Sequence, residues 1–242
     1  MQLKKSLGQN FLQDHNILRK EAELAKVEGK TVLEVGPGDG RLTEKLLAHN
    51  PKRLIVIEKD TRFSELLKEK FGEKIEVKNA DFLETNFSEV DVIVGNIPYN
   101  ITSLIIFKIA KMRFERAILM VQKEFAEKMV AKPNESNYGR LSVTAQLAFK
   151  VKLVQTVSAH LFIPKPKVDS AIIILEKNIR ISEEDEIVIT ALFQHRNQSV
   201  RNALKHSKKF DEGHIARVGE LLKRRVRTLT KEECLEISKR LL

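Results

Sequence analysis

The sequence predicts an α/β fold, a parallel sheet with helices on both faces, followed by a small all-α domain. Three observations lead there. From residue 30 to about residue 130, strand-length apolar runs alternate with helix-length amphipathic segments, and that alternation builds a parallel sheet covered by its own crossover helices. The first apolar run ends in three closely spaced glycines. Beyond about residue 177 no strand signal follows, and the pattern becomes helical.

Taken in order, residues 31–35 form a short apolar run that stops at the glycines, and 41–49 read as the first helix. Residues 53–57 are a second strand and 61–71 a second helix. Residues 74–78 alternate as a third strand. Residues 91–95 form a fourth, followed by a helix over 103–111, and 117–121 form a fifth, followed by a helix over 123–131. Residues 151–157 and 171–175 add two strands. In the tail, Ser182 and Thr230 each precede an acidic first turn, as helix N-caps do. About four helices follow from residue 181, so the expected division is 1–180 and 181–242.

Composition narrows the function. The 242 residues hold 43 Lys plus Arg against 33 Asp plus Glu, a net charge of +10, with 42% hydrophobic residues. The charge favours an acidic partner: nucleic acid, an anionic membrane surface or a polyphosphate. The hydrophobic content argues for a packed core rather than a disordered basic tail. No apolar run approaches the ~20 residues of a membrane span, and the opening MQLKKSLGQNF lacks a leader-like apolar stretch. The single cysteine, Cys234, excludes an internal disulfide and a cysteine-based zinc site. The expected setting is the cytoplasm, with no membrane or metal partner and, for want of a large apolar surface, a monomer.

Four strand ends carry chemistry. Glu34-Val-Gly-Pro-Gly-Asp-Gly40 joins the first strand to the first helix. Glycines at alternate positions let backbone approach a ligand and take positive φ without a Cβ penalty, although an ordinary strand–helix turn has the same look. The spacing is GxGxG, not the GxGxxG of dinucleotide binders. Glu58, with Lys59 after it, ends the second strand, where an acid can accept both hydroxyls of a ribose; its bland reading is a solvent-facing strand end. Asp81 and Phe82 follow the third strand, an acid for an exocyclic amine beside a ring for a base. In open α/β sheets, ligands gather outside these carboxyl ends.

The most specific segment is Gly95-Asn-Ile-Pro-Tyr-Asn100, after the fourth strand. The Asn96 side-chain oxygen and the Ile97 carbonyl can accept both hydrogens of an amino group on a planar base. Pro98 fixes the backbone and offers no N–H, and Tyr99 can stack on the base. A plain strand–helix turn is the competing reading.

These residues resemble the rRNA adenine N6 dimethyltransferases, a family of Rossmann-like enzymes that use S-adenosyl-L-methionine and release S-adenosyl-L-homocysteine. The resemblance runs from Lys5 to about Leu204. It takes in Gly8-Gln-Asn-Phe-Leu12, Glu34–Gly40, Glu58, Asp81, Phe82 and Asn96–Asn100. It continues through Gln122-Lys-Glu124, Tyr138-Gly-Arg-Leu-Ser142, Phe162-Ile-Pro-Lys-Pro-Lys-Val-Asp-Ser170 and Arg201-Asn202. The segments after residue 120 are similar to the branch that dimethylates two adjacent adenosines near the 3′ end of small-subunit rRNA during ribosome assembly. The branch that modifies large-subunit rRNA and confers macrolide resistance stays open, since Ile97 occurs there too. A non-catalytic assembly factor and a nucleotide-cofactor oxidoreductase are further alternatives. The presence of Glu58, Asp81, Asn96 and Tyr99 together counts against the first, and the GxGxG spacing with the Asn-Ile-Pro-Tyr turn against the second.

For the cofactor, the resemblance implies contacts from Gln9, Asn10 and Leu12 in an N-terminal motif that closes over it, and from Glu34, Gly36 and Gly38. It likewise implies contacts from Glu58, Lys59, Asp81, Phe82 and Asn96. For the target base it implies Asn96, Ile97, Pro98 and Tyr99, with Phe162 stacking on the opposite face or serving as a core residue. Without the resemblance, the opening segment reads as a basic, partly disordered arm.

RNA contact is expected from the tail. Between Arg196 and Arg227 lie ten Lys or Arg and three Asp or Glu. Nine of these are the expected RNA contacts: Arg196, Arg201, Lys205, Lys208, Lys209, Lys223, Arg224, Arg225 and Arg227. Basic residues at helical spacing track phosphates; a merely solvated charged face is the alternative.

Overall fold

The structure is a computed structural model that describes residues 10–87, 90–179 and 181–242. Two compact units emerge. One holds the chain up to Ala126 together with Lys152–Lys177; the other holds Glu127–Val151 with Asn178–Leu242.

In the first unit, β1 (Phe11–Leu12) leads into α1 (His15–Ala25), then β2 (Thr31–Val35), α2 (Arg41–Leu47), β3 (Arg53–Glu58), α3 (Thr61–Phe71), β4 (Glu76–Asn79) and β5 (Val92–Asn96). After these come α4 (Thr102–Lys111), β6 (Arg116–Gln122) and the start of α5 (Lys123–Val130). The helices start where short polar side chains can cap them. Asp14 accepts from the amides of Asn16 and Ile17 at the head of α1, and Asp60 accepts from that of Arg62 at the head of α3; each such cap contributes about 1 kcal/mol. The sequence reading had no helix over 15–25. Its buried residues Leu18, Glu21, Ala22 and Ala25 recur at three- and four-residue spacing, the stripe of a helix with one face in a core.

The main sheet has the order β4-β3-β2-β5-β6-β9-β7, with β7 (Phe149–Val157) and β9 (Ser170–Lys177) at its end. β3 pairs with β4 and with β2, β2 with β5 and β5 with β6, all in parallel. β9 runs antiparallel to β6, with Gln122 opposite Ser170. The sheet is therefore mixed rather than parallel throughout. A strand following β6 after a long excursion can return in either direction, and its direction is not written in the apolar run.

From β2 the chain winds outward to β3 and β4, then returns to the other side of β2 as β5. The connections that leave the carboxyl ends of β2 and β5 thus run in opposite directions along the sheet, the topological switch point at which such sheets open a crevice. Val32, Val56, Val94, Ile118 and Met120 of the sheet join Leu18, Leu42 and Leu46 of the helices in one core. A separate two-stranded sheet pairs β1 antiparallel with β8 (Phe162–Ile163), setting Leu12 opposite Phe162.

The second unit contains α6 (Arg140–Ala148), α7 (Glu183–Phe193), α8 (Val200–Ser207), α9 (Glu212–Ala216) and α10 (Lys231–Leu241). α7 and α10 open on capping boxes built by Ser182 with Asp185 and by Thr230 with Glu233. Residues 127–151, which the sequence reading put in the first domain, group here. The reason is apolar packing: Tyr138, Val143 and Leu147 share a core with Val188, Leu192, Ile237 and the buried Cys234. The Tyr138 ring meets Phe193 edge-on at 5.7 Å, and its hydroxyl donates to the Leu229 carbonyl at 2.6 Å. Among the described residues, no helix is long and apolar enough to cross a membrane.

Candidate active site

At the switch point the glycine loop leaves β2. Gly36 donates its amide to the Ile57 carbonyl at 3.0 Å, and Gly40 closes a turn onto the Pro37 carbonyl. Gly38 has φ +57°, and a Cβ there would sit 2.4 Å from Phe11 Cε1, so only glycine lets the β1 ring lie across the loop. At Gly95 a Cβ would fall 2.6 Å from the Val35 carbonyl oxygen. Its absence lets the ends of β2 and β5 close up, which brings Asn96 to the same cavity as the loop.

That cavity measures about 270 Å³. Of the positions expected to hold cofactor or base, all those described line it, from Asn10 and Leu12 through the glycine loop, Glu58, Lys59, Asp81 and Phe82 to Asn96–Tyr99 and Phe162. Gln9 lies outside the described residues.

The acids are held in distinct ways. The Glu58 carboxylate accepts from the Gly38 amide at 3.2 Å and the Asp60 amide at 2.8 Å. It thereby ties the end of β3 to the loop, and burial raises its pKa. Asp81 accepts from Lys59 Nζ at 2.8 Å and the Leu83 amide at 2.8 Å, and the Lys59 ammonium is the main reason its pKa is lowered. Lys59 is thus a partner of Asp81 with an exposed side chain. Glu34 is buried; it accepts from Thr43 Oγ1 at 2.7 Å, and its other oxygen has no partner. Burial pushes its pKa up to about 8.

Around Asn96 the backbone is fixed by the Ile97 amide, which donates to the Met120 carbonyl at 2.9 Å, and by Pro98 at φ −57°. Tyr99 begins a short 3₁₀ turn, and its hydroxyl lies 2.7 Å from Ser170 Oγ at the start of β9. Phe162 lines the cavity while remaining 4% exposed and packed into the sheet core. Phe82 stacks with Phe87 at 6.1 Å, with Lys108 Nζ 5.4 Å from its ring centre.

Sequence reasoning passed over Phe11, Ser170 and Glu21. Phe11 lies between two residues that were singled out. Ser170 closes the Phe162–Ser170 motif, where its neighbours give no hint of the Tyr99 contact. Glu21 carries a signal that was available: it stands three residues after Leu18 and four before Ala25, on the buried face of α1. Both its carboxyl oxygens are buried without a hydrogen-bond partner, and burial pushes its pKa up to about 8.

The basic residues of the second unit form a built surface. The Arg227 amide donates to the Arg196 carbonyl at 2.9 Å, Val226 to Gln198, and Val200 to Arg224. This clips the 224–227 segment beside residues 196–200 and gathers Arg196, Arg224, Arg225 and Arg227. Three of these side chains also hold structure: Arg196 donates to the Ser136 and Tyr138 carbonyls, Arg224 to the Thr228 carbonyl, and Arg225 to that of Asn197. Arg201 and Lys205, one turn apart on α8, both pair with Glu212. Lys208, Lys209 and Lys223 are exposed.

The chain is similar to known proteins over most of its length. A Thermococcus sibiricus protein named as a probable ribosomal RNA small subunit methyltransferase A is 45% identical over 206 residues, covering 83% of this chain and 75% of its own. The crystal structure of a dimethyladenosine transferase from Plasmodium falciparum superposes with a TM-score of 0.84 at 32% identity, covering 94% of this chain and 95% of that one. The 23S rRNA methyltransferase ErmE gives a TM-score of 0.71 at 31% identity, covering 96% and 99%. The whole chain, residues 1–242, matches the family described as ribosomal RNA adenine dimethylase. With the glycine loop, the strand-end acids and the Asn96–Tyr99 turn lining one cavity, the chain belongs to the ribosomal RNA adenine dimethylase family, the S-adenosylmethionine-dependent adenine methyltransferases of rRNA.

Proposed function

We propose that this enzyme converts two adjacent adenosines in a 3′-terminal hairpin loop of small-subunit rRNA to N6,N6-dimethyladenosine, acting in the cytoplasm on the assembling subunit. The observation that carries the reading is the shared cavity: the glycine loop, Glu34, Glu58 and Asp81 line it together with Asn96, Pro98 and Tyr99.

The residues present suit the cofactor. Gly38, at φ +57° and without a side chain, lines the cavity with bare backbone. Glu58, fixed by two amides, keeps lone pairs for a ribose diol. Asp81, held ionised by Lys59, accepts an exocyclic amine, and Phe82 packs beside the adenine. When bound, S-adenosylmethionine supplies an electrophilic methyl group on a sulfonium.

The protein then has a positioning task. The N6 lone pair of adenine is delocalised into its ring. Accepting N6–H at the Asn96 side-chain oxygen and the Ile97 carbonyl favours a pyramidal nitrogen and frees that pair. The same contacts stabilise positive charge as it grows on N6. Tyr99, steadied by Ser170, stacks on the ring, and Phe162 faces it from β8. Holding N6 in line with the methyl group at near-attack distance lowers the barrier further. The base leaves its stack to enter, as in other base-modifying enzymes.

Asn96→Ala is expected to lower dimethyladenosine formation by at least 10²-fold while cofactor binding stays measurable. Incubation with labelled S-adenosylmethionine and each unmodified rRNA, followed by primer-extension mapping, tests both site and target. Unimpaired product from Asn96→Ala overturns the mechanism, and label confined to large-subunit rRNA overturns the target.

A further inference from the structure

Behind the cavity wall, hydrogen bonding is incomplete in one place. Asn96 closes β5, and its Oδ1 is buried with no donor in reach. Packed against β5 is α1, from which Glu21, 0% exposed, presents two carboxyl oxygens that likewise have no partner. The Asn96 side chain stands near enough to pull the Glu21 pKa down against the effect of burial, yet does not meet hydrogen-bond geometry as it is turned. Buried polar groups are nearly always paired, so unpaired atoms on two facing side chains call for one explanation.

A half-turn of the Asn96 amide about χ2 supplies it. Oxygen and nitrogen of an asparagine exchange places in that rotation, and the surrounding network decides between them. With Nδ2 inward, its N–H donates to a Glu21 carboxyl oxygen and a buried carboxyl gains its missing partner. Oδ1 then leaves its donorless position and faces the cavity, where an amino group can donate to it. The opposite arrangement, a protonated Glu21 donating to Oδ1, turns Nδ2 to the cavity, and a donor cannot accept N6–H.

We propose that Glu21 is a positioning residue: its carboxyl accepts from Asn96 Nδ2 and so holds Oδ1 toward the amine being methylated. Glu34 is the titratable group that also faces Glu21, from β2, and one of its oxygens is likewise without a partner. It is anchored to Thr43 through one oxygen, which leaves Glu21 to orient the asparagine. The substrate does not touch Glu21. Its effect falls on turnover, through the fraction of Asn96 side chains turned productively, and not on cofactor affinity, which the glycine loop, Glu58 and Asp81 determine.

The inference rests on the role proposed for Asn96, and the test separates the two. Glu21→Leu, Glu21→Gln and Asn96→Ala are compared for kcat, KM for small-subunit rRNA, cofactor Kd and thermal midpoint. Glu21→Leu removes the acceptor; kcat is expected to fall at least tenfold, with Kd within twofold and a midpoint equal to or above that of the wild type. Glu21→Gln keeps an accepting oxygen at the same reach and is expected to retain kcat within about threefold. A purely structural role would instead move midpoint and kcat down together. Should Glu21→Leu fail to fold, Glu21→Met takes its place as the apolar variant. Wild-type or raised kcat in the apolar variant, with Asn96→Ala inactive, overturns the role of Glu21 alone. An equal loss in Glu21→Gln also overturns it. Wild-type kcat in Asn96→Ala overturns the reading on which it rests.

Discussion

Burial costs the charged forms of Glu21 and Glu34 more than their few partners return, and it raises both pKa values. Their pKa values near 8 lie above the ordinary 4.5, so the folded state binds protons that the unfolded chain has released. The stabilisation is complete below about pH 4.5 and is lost as pH rises to about 8. Stability therefore falls with pH across that window. Replacing Glu21 by Gln removes its share. The midpoint of Glu21→Gln is expected to match the wild type near pH 4.5 and to exceed it by roughly 5–10 °C at pH 8, read by calorimetry at both pH values. A constant difference across the range would refute this. Glu58 differs: burial raises its pKa as well, but the Asp60 and Gly38 amides oppose that rise. Glu58→Ala is expected to weaken cofactor binding at least tenfold by calorimetric titration, because it removes a ribose acceptor and frees the loop at Gly38.

Among the elements, the glycine loop and β1 are made for each other. Gly38→Ala meets both a positive φ and the Phe11 ring. The expected cost is about 1–3 kcal/mol, with cofactor affinity lost alongside. Gly38→Ala combined with Phe11→Ala should recover part of the stability, since relief of the clash leaves only the backbone strain. Purely additive losses in a double-mutant cycle would contradict the contact. The loop was legible in sequence because φ-permissive residues announce themselves. Phe11 was not, because nothing local links residue 11 to residue 38. Strand bounds shifted by a residue or two, as frayed ends do. The direction of β9 and the existence of α6 were decided by partners more than forty residues away, Met120 opposite Ile172 and Leu147 beside Val188.

For the whole molecule, the net charge of +10 resolves into particular places. Around Arg196 and Arg224–Arg227, a backbone clip holds basic residues in one small area, as binding a phosphate backbone requires. Log affinity for the rRNA is expected to fall with log salt at about −0.7 to −0.9 per phosphate neutralised. Lys208→Ala with Lys209→Ala should flatten that slope by about 1–2 while leaving kcat at saturating RNA unchanged. An unaltered slope would remove these lysines from the contact. Arg196→Ala is expected to behave differently, lowering the thermal midpoint as well, because that guanidinium also supports the Ser136 and Tyr138 carbonyls.

By itself the sequence determined the alternation of strands and helices, the glycine loop, the acids at successive strand ends, the Asn96–Tyr99 turn and the capped helical tail. Each is a local matter, of periodicity, backbone freedom or capping, and local chemistry is written in neighbouring residues. Only the tertiary structure decided that residues 127–151 pack with the helical unit, that Phe11 covers Gly38, that Arg196 meets Arg227, and that Glu21 stands behind Asn96. Those depend on which distant side chains share a core: the spacing around Glu21 can set it on the apolar face of a helix, but nothing along the chain sets it beside Asn96.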